Sequence, residues 1–497
     1  MAGLSEKEKK AALEAKAQKR KHILYGVLGG VAAVAIIALL IWDNGVVQRH
    51  LTAYTIGDHK YTAADLDYFY YSEYNSYYST YVSYGIIDSD TDLKEQVYSQ
   101  DEDGNDITWH DLFVEDAISS LTSMTVLYDE AVANGYTISE DGAASVQSTL
   151  DSIETACTTY SVTKAYYLEY LYGPYMTEKR LENLLTMTTI ASEYSELIYD
   201  NYEDAVTEDE VNTYYDENSD SLDTYSYYVY YVSGSAASTT DEDGNTVSPT
   251  DEESEAAMTA ASELADQLVA AIADGDEVTV ANLVGDEDNS ISDYGSYTNV
   301  GSSVSTNYSE WLMDESREVG DVSAQEGLSG YYVVRFDGRS LEERYPVTYR
   351  DILITAETDE DAEAPTEEQL ADAQAQAEDL MGQITDEQSF IDLVADNSSS
   401  STSSSEGLNS SVSWSGVSDA NVQAWLFDEN HNEGDLGLVE AADGTGYYVL
   451  YFSAYDEQLV WQQTATSSLA TDAYNDWYDG VSADITGVSG IGYGLVG

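Results

Sequence analysis

The sequence is short of cysteine, proline, histidine and positive charge. Among 497 residues there are one Cys, 4 Pro, 5 His and 18 Lys and Arg, against 94 Asp and Glu, a formal charge of −76. A single thiol, Cys157, forms neither an intramolecular disulfide nor a cysteine-based zinc site, so stability has to come from packed cores. Nucleic-acid binding is excluded, because releasing counterions from phosphates requires a basic surface and only the first 22 residues are basic. The histidines, His22, His50, His59, His110 and His431, show no ligand spacing, and no metal or other cofactor is implied. Gly-x-Ser-x-Gly is absent, which removes the nucleophile elbow of serine hydrolases. Gly492-x-Gly494-x-x-Gly497 fits a dinucleotide fingerprint only by its letters, since no helix follows it to receive a pyrophosphate. Asp88-x-Asp90-x-Asp92 begins like a calcium loop but has Leu93 at the sixth position, where glycine is needed, and reads as a solvated turn.

What is present begins with a membrane signal. Residues 1–22 carry seven Lys and Arg and three Glu, and Ile23 to Trp42 follow without a charge. Twenty apolar residues match a hydrocarbon core of about 30 Å at about 1.5 Å per residue, and Trp42 suits an interface. The expectation is a single-pass anchor in the cell membrane, with 1–22 cytoplasmic and the bulk of the chain extracytoplasmic. A cleaved signal peptide fits less well, because its apolar region is shorter and ends in small residues. The remaining chain is very acidic, yet 43% hydrophobic and 11% aromatic residues describe folded domains.

Thr62 stands as a helix N-cap with Asp65 in the first turn. Leu66, Phe69, Tyr70, Tyr74, Tyr77, Tyr78 and Tyr81 then recur at three- and four-residue spacing, an aromatic face best explained by helix packing. Further helical patterns over 113–133, 143–157, 166–172 and 179–199 make residues 53–218 a mainly helical module. The second half repeats itself. Trp311-Leu-Met-Asp-Glu315 answers Trp425-Leu-Phe-Asp-Glu429, Gly320-Asp-Val322 answers Gly434-Asp-Leu436, and Gly330-Tyr-Tyr-Val-Val-Arg-Phe336 answers Gly446-Tyr-Tyr-Val-Leu-Tyr-Phe452. Strands are predicted over Tyr225–Val232 and Val347–Ile354, with capping-box helices opening at Pro249 and Pro365. Each copy is an α+β unit, 219–340 and 345–456, followed by a tail, 457–497, whose apolar residues keep helical spacing from Val460 to Val481. The serine-rich stretch 397–413 reads as a mobile insert, and Thr239–Thr246 as a tight turn.

This order of motifs resembles the extracytoplasmic foldases of the PrsA/SurA type. Ile56-Gly-Asp-His-Lys-Tyr-Thr-Ala-Ala-Asp-Leu66 is similar to the family's opening, and Tyr214-Tyr-Asp-Glu-Asn218 to its approach to the isomerase domain. Tyr349-Arg-Asp-Ile-Leu-Ile354, Phe390-Ile-Asp-Leu-Val-Ala395 and Gly446-Tyr-Tyr-Val-Leu450 are similar to the strand, helix and closing strand of a parvulin domain. The resemblance implies an α+β multidomain chain with a SurA-N-like helical chaperone domain and two tandem parvulin-like domains. It also implies a C-terminal helix that returns to the helical domain. It places the first-strand histidine of active parvulins at Tyr228 and Asp351, and the last-strand histidine at Tyr332 and Tyr448, so neither copy has an intact catalytic pair. Substrate contacts fall on Tyr448, Asp351, Val417 and Asn421, with Ser400 at the family's Cys/Asp position. The function expected is a membrane-anchored foldase or chaperone that binds unfolded exported polypeptides. The alternatives are an active parvulin-type prolyl isomerase and an acidic cell-surface scaffold.

Overall fold

The computed structural model describes residues 27, 31–36 and 50–497, apart from 175, 241–245, 287–289, 359–361, 363 and 429–430. The basic tail 1–22 and most of Ile23–Trp42 lie outside the described residues; Val27 and residues 31–36 are helical and exposed. Among the described residues no helix is long and apolar enough to cross a membrane. The chain divides into two compact units, 1–205 with 470–497, and 206–469.

The first unit is mainly helical. Strands β1 (Thr52–Ile56) and β2 (His59–Thr62) form a hairpin, and helix α1 (Ala63–Ser83) starts where the Asp65 carboxylate accepts both the N–H and the hydroxyl of Thr62. A second hairpin, β3 (Val97–Gln100) with β4 (Asp106–Thr108), leads into α2 (Trp109–Ala133). Then follow α3 (Glu140–Tyr160), α4 (Lys164–Tyr172) and α5 (Glu178–Ala205). Leu66, Phe113, Ala117, Leu121 and Leu181 are at the centre of the core. The aromatic stripe of α1 is divided. Leu66, Phe69 and Tyr70 are buried in that core, whereas Tyr77 keeps 46% of its surface exposed. The Asp88 carboxylate caps its own turn, accepting the N–H of Asp90 and the hydroxyl of Thr91.

The second unit begins with α6 (Glu208–Leu222) and holds two four-stranded antiparallel sheets. In the first copy β5 (Thr224–Ser233) is followed by the short pair β6 (Thr239–Thr240) and β7 (Thr246–Val247), then α7 (Asp251–Ala273) and α8 (Glu277–Val284). Strand β8 (Ile291–Val300), α9 (Ser309–Leu312), β9 (Val322–Gly327) and β10 (Gly330–Ser340) complete it. In the second copy β11 (Val347–Thr355) precedes α10 (Glu367–Met381), α11 (Glu387–Asn397) and β12 (Leu408–Val412), with α12 (Ala420–Leu426), β13 (Leu436–Glu440) and β14 (Gly446–Tyr455) closing. The strand orders, β8-β5-β10-β9 and β12-β11-β14-β13, have the same topology. The serine-rich stretch is ordered structure, not a mobile insert: Ser401–Ser405 form a 3₁₀ turn, Gly407 takes φ +72°, and β12 pairs with β11. Local hydrogen bonding by Ser and Thr hydroxyls holds this turn without an apolar anchor of its own.

Helix α13 (Val460–Ser482) spans both units. Its first turns pack Trp461 and Ala465 with Val211 and Leu222 of the second unit. Near its end Tyr474 meets Ser195 at 2.6 Å and the Tyr478 hydroxyl donates to Ser123 at 3.0 Å, both in the first unit. Strand β15 (Gly487–Ser489) then pairs antiparallel with β1, and the Gly497 N–H donates to the buried Asp67 carboxylate at 3.0 Å.

Candidate functional site

The repeated motifs have the same structural duties in the two copies. Gly320 and Gly434 both sit at positive φ, +95° and +89°, and both donate their N–H to a closing-strand phenylalanine, Phe336 and Phe452, at 2.8 Å. The following aspartates accept from the N–H groups of Glu318 and Asn432. Leu312 and Leu426 are fully buried, and beside them Trp311 carries the Arg317 guanidinium while Trp425 carries the His431 ring at 4.1 Å. A register shift interrupts the ladder at the same place in each copy, just after Phe336 and Phe452.

These ladders fix which residues correspond. Tyr332 pairs with Tyr231 and Tyr448 with Leu353; Val334 pairs with Val229 and Leu450 with Asp351. The first-copy counterpart of Asp351 is therefore Val229, and the placement of Tyr228 at that position is corrected by one residue. In a pleated strand this moves the side chain to the other face. Tyr228 lies beside Tyr230 and Arg335 on the α7 side of the sheet and donates to Asp293 at 2.9 Å, away from Tyr332.

In the second copy Asp351 is buried, 4% exposed, on the face that carries Tyr349, Tyr448 and Leu450. Its Oδ1 accepts from the Thr402 hydroxyl at 2.6 Å and from the Asn409 amide at 2.7 Å, and Ser400 lies 2.8 Å from the Thr402 hydroxyl. The Asp351 N–H donates to the Gly407 carbonyl at 2.9 Å. The structure thus joins Asp351 and Ser400 through Thr402 and Asn409, two residues that sequence reasoning missed because they lie in the serine-rich stretch. Val417, Val422, Leu426 and Phe452 pack over the same face as one apolar cluster. Val417 is accordingly core, 7% exposed, while Asn421 is exposed and donates to the Glu440 carbonyl at 3.0 Å. Burial raises the pKa of Tyr448, with Asp419 and Asp351 adding to it, and burial likewise raises that of Tyr349. Both phenols stay protonated near neutral pH.

The matching face of the first copy is aromatic. Tyr332 meets Tyr231 at 4.9 Å and Tyr308 at 5.6 Å, and Tyr308 meets Tyr227 at 5.7 Å. Burial raises the pKa of Tyr308 and of Tyr332. Among the described residues the sheet faces of Tyr332 and Tyr448 carry tyrosines and, in the second copy, the buried Asp351, with no histidine among the strand residues of either.

Open surface is found in the helical unit. Between α1 and α2 lies a groove of about 390 Å³ with Tyr77, Tyr81, Leu112 and Phe113 along its walls and Glu73 and Asp116 at its edge. Tyr81 leans on Trp109 at 5.1 Å and Tyr77 stacks on Tyr81 at 5.9 Å, so the aromatic wall is braced from behind. Among the described residues no group of three His, Cys, Asp or Glu is placed to hold a metal ion.

No family model matches the chain, and no curated protein does. Solved structures do. PrsA from Bacillus subtilis aligns at 11% identity over 79% of this chain and 93% of its own, with a TM-score of 0.27. The peptidylprolyl isomerase PrsA from Bacillus cereus aligns at 11% identity over 80% and 95%, with a TM-score of 0.18. A SurA-like chaperone of Campylobacter jejuni aligns at 11% identity over 59% and 85%, with a TM-score of 0.17.

Proposed function

We propose that this chain is a membrane-anchored, extracytoplasmic holding chaperone that binds unfolded exported polypeptides. The observation that carries the reading is the open groove between α1 and α2, where half-exposed tyrosines form a braced aromatic wall beside carboxylates. Tyrosine supplies large amphipathic contact area at low conformational cost, which suits a surface that must accept many sequences. The anchor is Ile23–Trp42, and residues 1–22 are its cytoplasmic flank. The apolar cluster around Val417 packs over the sheet face of Tyr448 and Asp351 in the second copy, which supports a site that binds peptide elsewhere. The reading is therefore binding without isomerisation.

The test uses the full chain in lipid nanodiscs and a reduced secreted protein that aggregates on dilution. Suppression of light scattering near stoichiometric amounts is expected, and the Tyr77→Ser/Tyr81→Ser double variant should weaken it several-fold. Unchanged aggregation at a large excess of the parent chain sinks the reading.

A further inference from the structure

The two copies differ where their second helix meets the sheet. In both, an aspartate caps the helix: Asp276 accepts from the Thr279 N–H at 3.0 Å and Asp386 from the Ser389 N–H at 2.9 Å. Four residues after the cap stands Phe390 in the second copy and Val280 in the first; eight residues after it stand Val394 and Val284. Phe390 and Val394 are both fully buried, and Phe390 lies on the Tyr451 ring at 5.9 Å. Arg350 ties the start of α11 down through Glu387 at 2.8 Å. In the first copy the strand residues are exchanged: Tyr228 stands in the place of Arg350 and Arg335 in the place of Tyr451. Arg335 is turned to Asp337, at 2.6 and 3.0 Å, and α8 has no fully buried residue.

A cleft of about 540 Å³ opens under α8 as a result. Tyr230, Ile272, Val280 and Val284 form its apolar lining. At its rim are Asp276, Glu277 and Asp293, and its one lining cation, Arg335, is already neutralised. The cleft lies on the α7 side of the sheet, opposite the face of Tyr332.

We propose that this cleft is a client-binding pocket that takes one large apolar side chain, phenylalanine above all, from an unfolded segment whose neighbouring residues are Lys or Arg. The size follows from the second copy, which fills the corresponding place with its own Phe390. The flanking charge follows from the acidic rim on a chain of net charge −76. The proposal rests on the reading of the chain as a client-binding protein and adds a second, chemically selective site to it.

Val280→Phe gives the first copy the side chain that the second already buries, and it should close the pocket without loss of folding. The probe is a short fluorescein-labelled peptide with one phenylalanine between lysine pairs, titrated against the full chain in nanodiscs by polarisation. Val280→Phe should weaken binding by about tenfold or more, as loss of an anchor residue does. Replacing the peptide's phenylalanine by alanine should cost about as much, and Glu277→Lys should weaken the lysine-flanked peptide several-fold while sparing a serine-flanked one. Equal binding by parent and Val280→Phe overturns the pocket. A parent that suppresses aggregation but binds no such peptide overturns the pocket and leaves the chaperone reading standing; a parent that does neither overturns both.

Discussion

Asp67 keeps its proton to a pH far above that of an ordinary carboxyl group. Burial raises its pKa from 3.8 to about 7, outweighing the Gly497 N–H and the Lys94 ammonium, which pull it down. The folded state therefore holds this proton more tightly than the unfolded chain does. Its stabilising effect is complete below about 3.8, fades by about 1.4 kcal/mol per pH unit as pH rises, and is gone above about 7. Asp67→Asn keeps an oxygen for the Gly497 N–H and removes the titration. Relative to the parent, the variant should gain stability from about pH 4 to about pH 7 and level off above that in urea melts followed at α1; a difference that does not change with pH would contradict this. Asp351 shows the other solution for a buried carboxylate, two side-chain donors on one oxygen, and its role as a structural anchor was not visible in the sequence because Thr402 and Asn409 lie more than a turn apart in a low-complexity stretch.

At the level of the element, α8 and α11 are the same helix placed in two ways. Phe390→Ala should cost about 3–5 kcal/mol of the second copy's stability. Val280→Ala, at a half-buried position, should cost about 1 kcal/mol. Hydrogen exchange of β14 and β10 under mild denaturant separates the two, and equal costs would mean that α8 is seated as firmly as α11. The repeat itself was legible because Trp-Leu, Gly-Asp and Gly-Tyr-Tyr stand where the fold needs a buried wedge, a positive φ and a close strand approach. At Gly330 and Gly446 an added Cβ would meet the carbonyls of Val232 and Ile354. The register of β5 was not legible. Tyrosines at Tyr225, Tyr227, Tyr228, Tyr230 and Tyr231 erase the two-residue alternation that tells one face from the other, so Tyr228 was set on the face that belongs to Val229. The helices of the first unit could be read from their periodicity, whereas the short pair β3 and β4 could not, since so few residues carry little pattern.

For the molecule as a whole, the excess of Asp and Glu sets how partners arrive. A field of this sign draws cationic unfolded chains toward the surface and keeps copies of the protein apart. The association rate with a lysine-rich unfolded client should fall by about tenfold or more between about 20 and about 500 mM salt, as stopped-flow fluorescence would measure, with a much smaller change in dissociation. A rate indifferent to salt would place recognition in apolar contact alone. The pairing of β1 with β15 also has a bearing on synthesis. Residues 54–56 leave the ribosome long before their partners 487–489, so β1 keeps a bare edge throughout that interval. A strand that waits this long for its neighbour needs its open edge covered in the meantime.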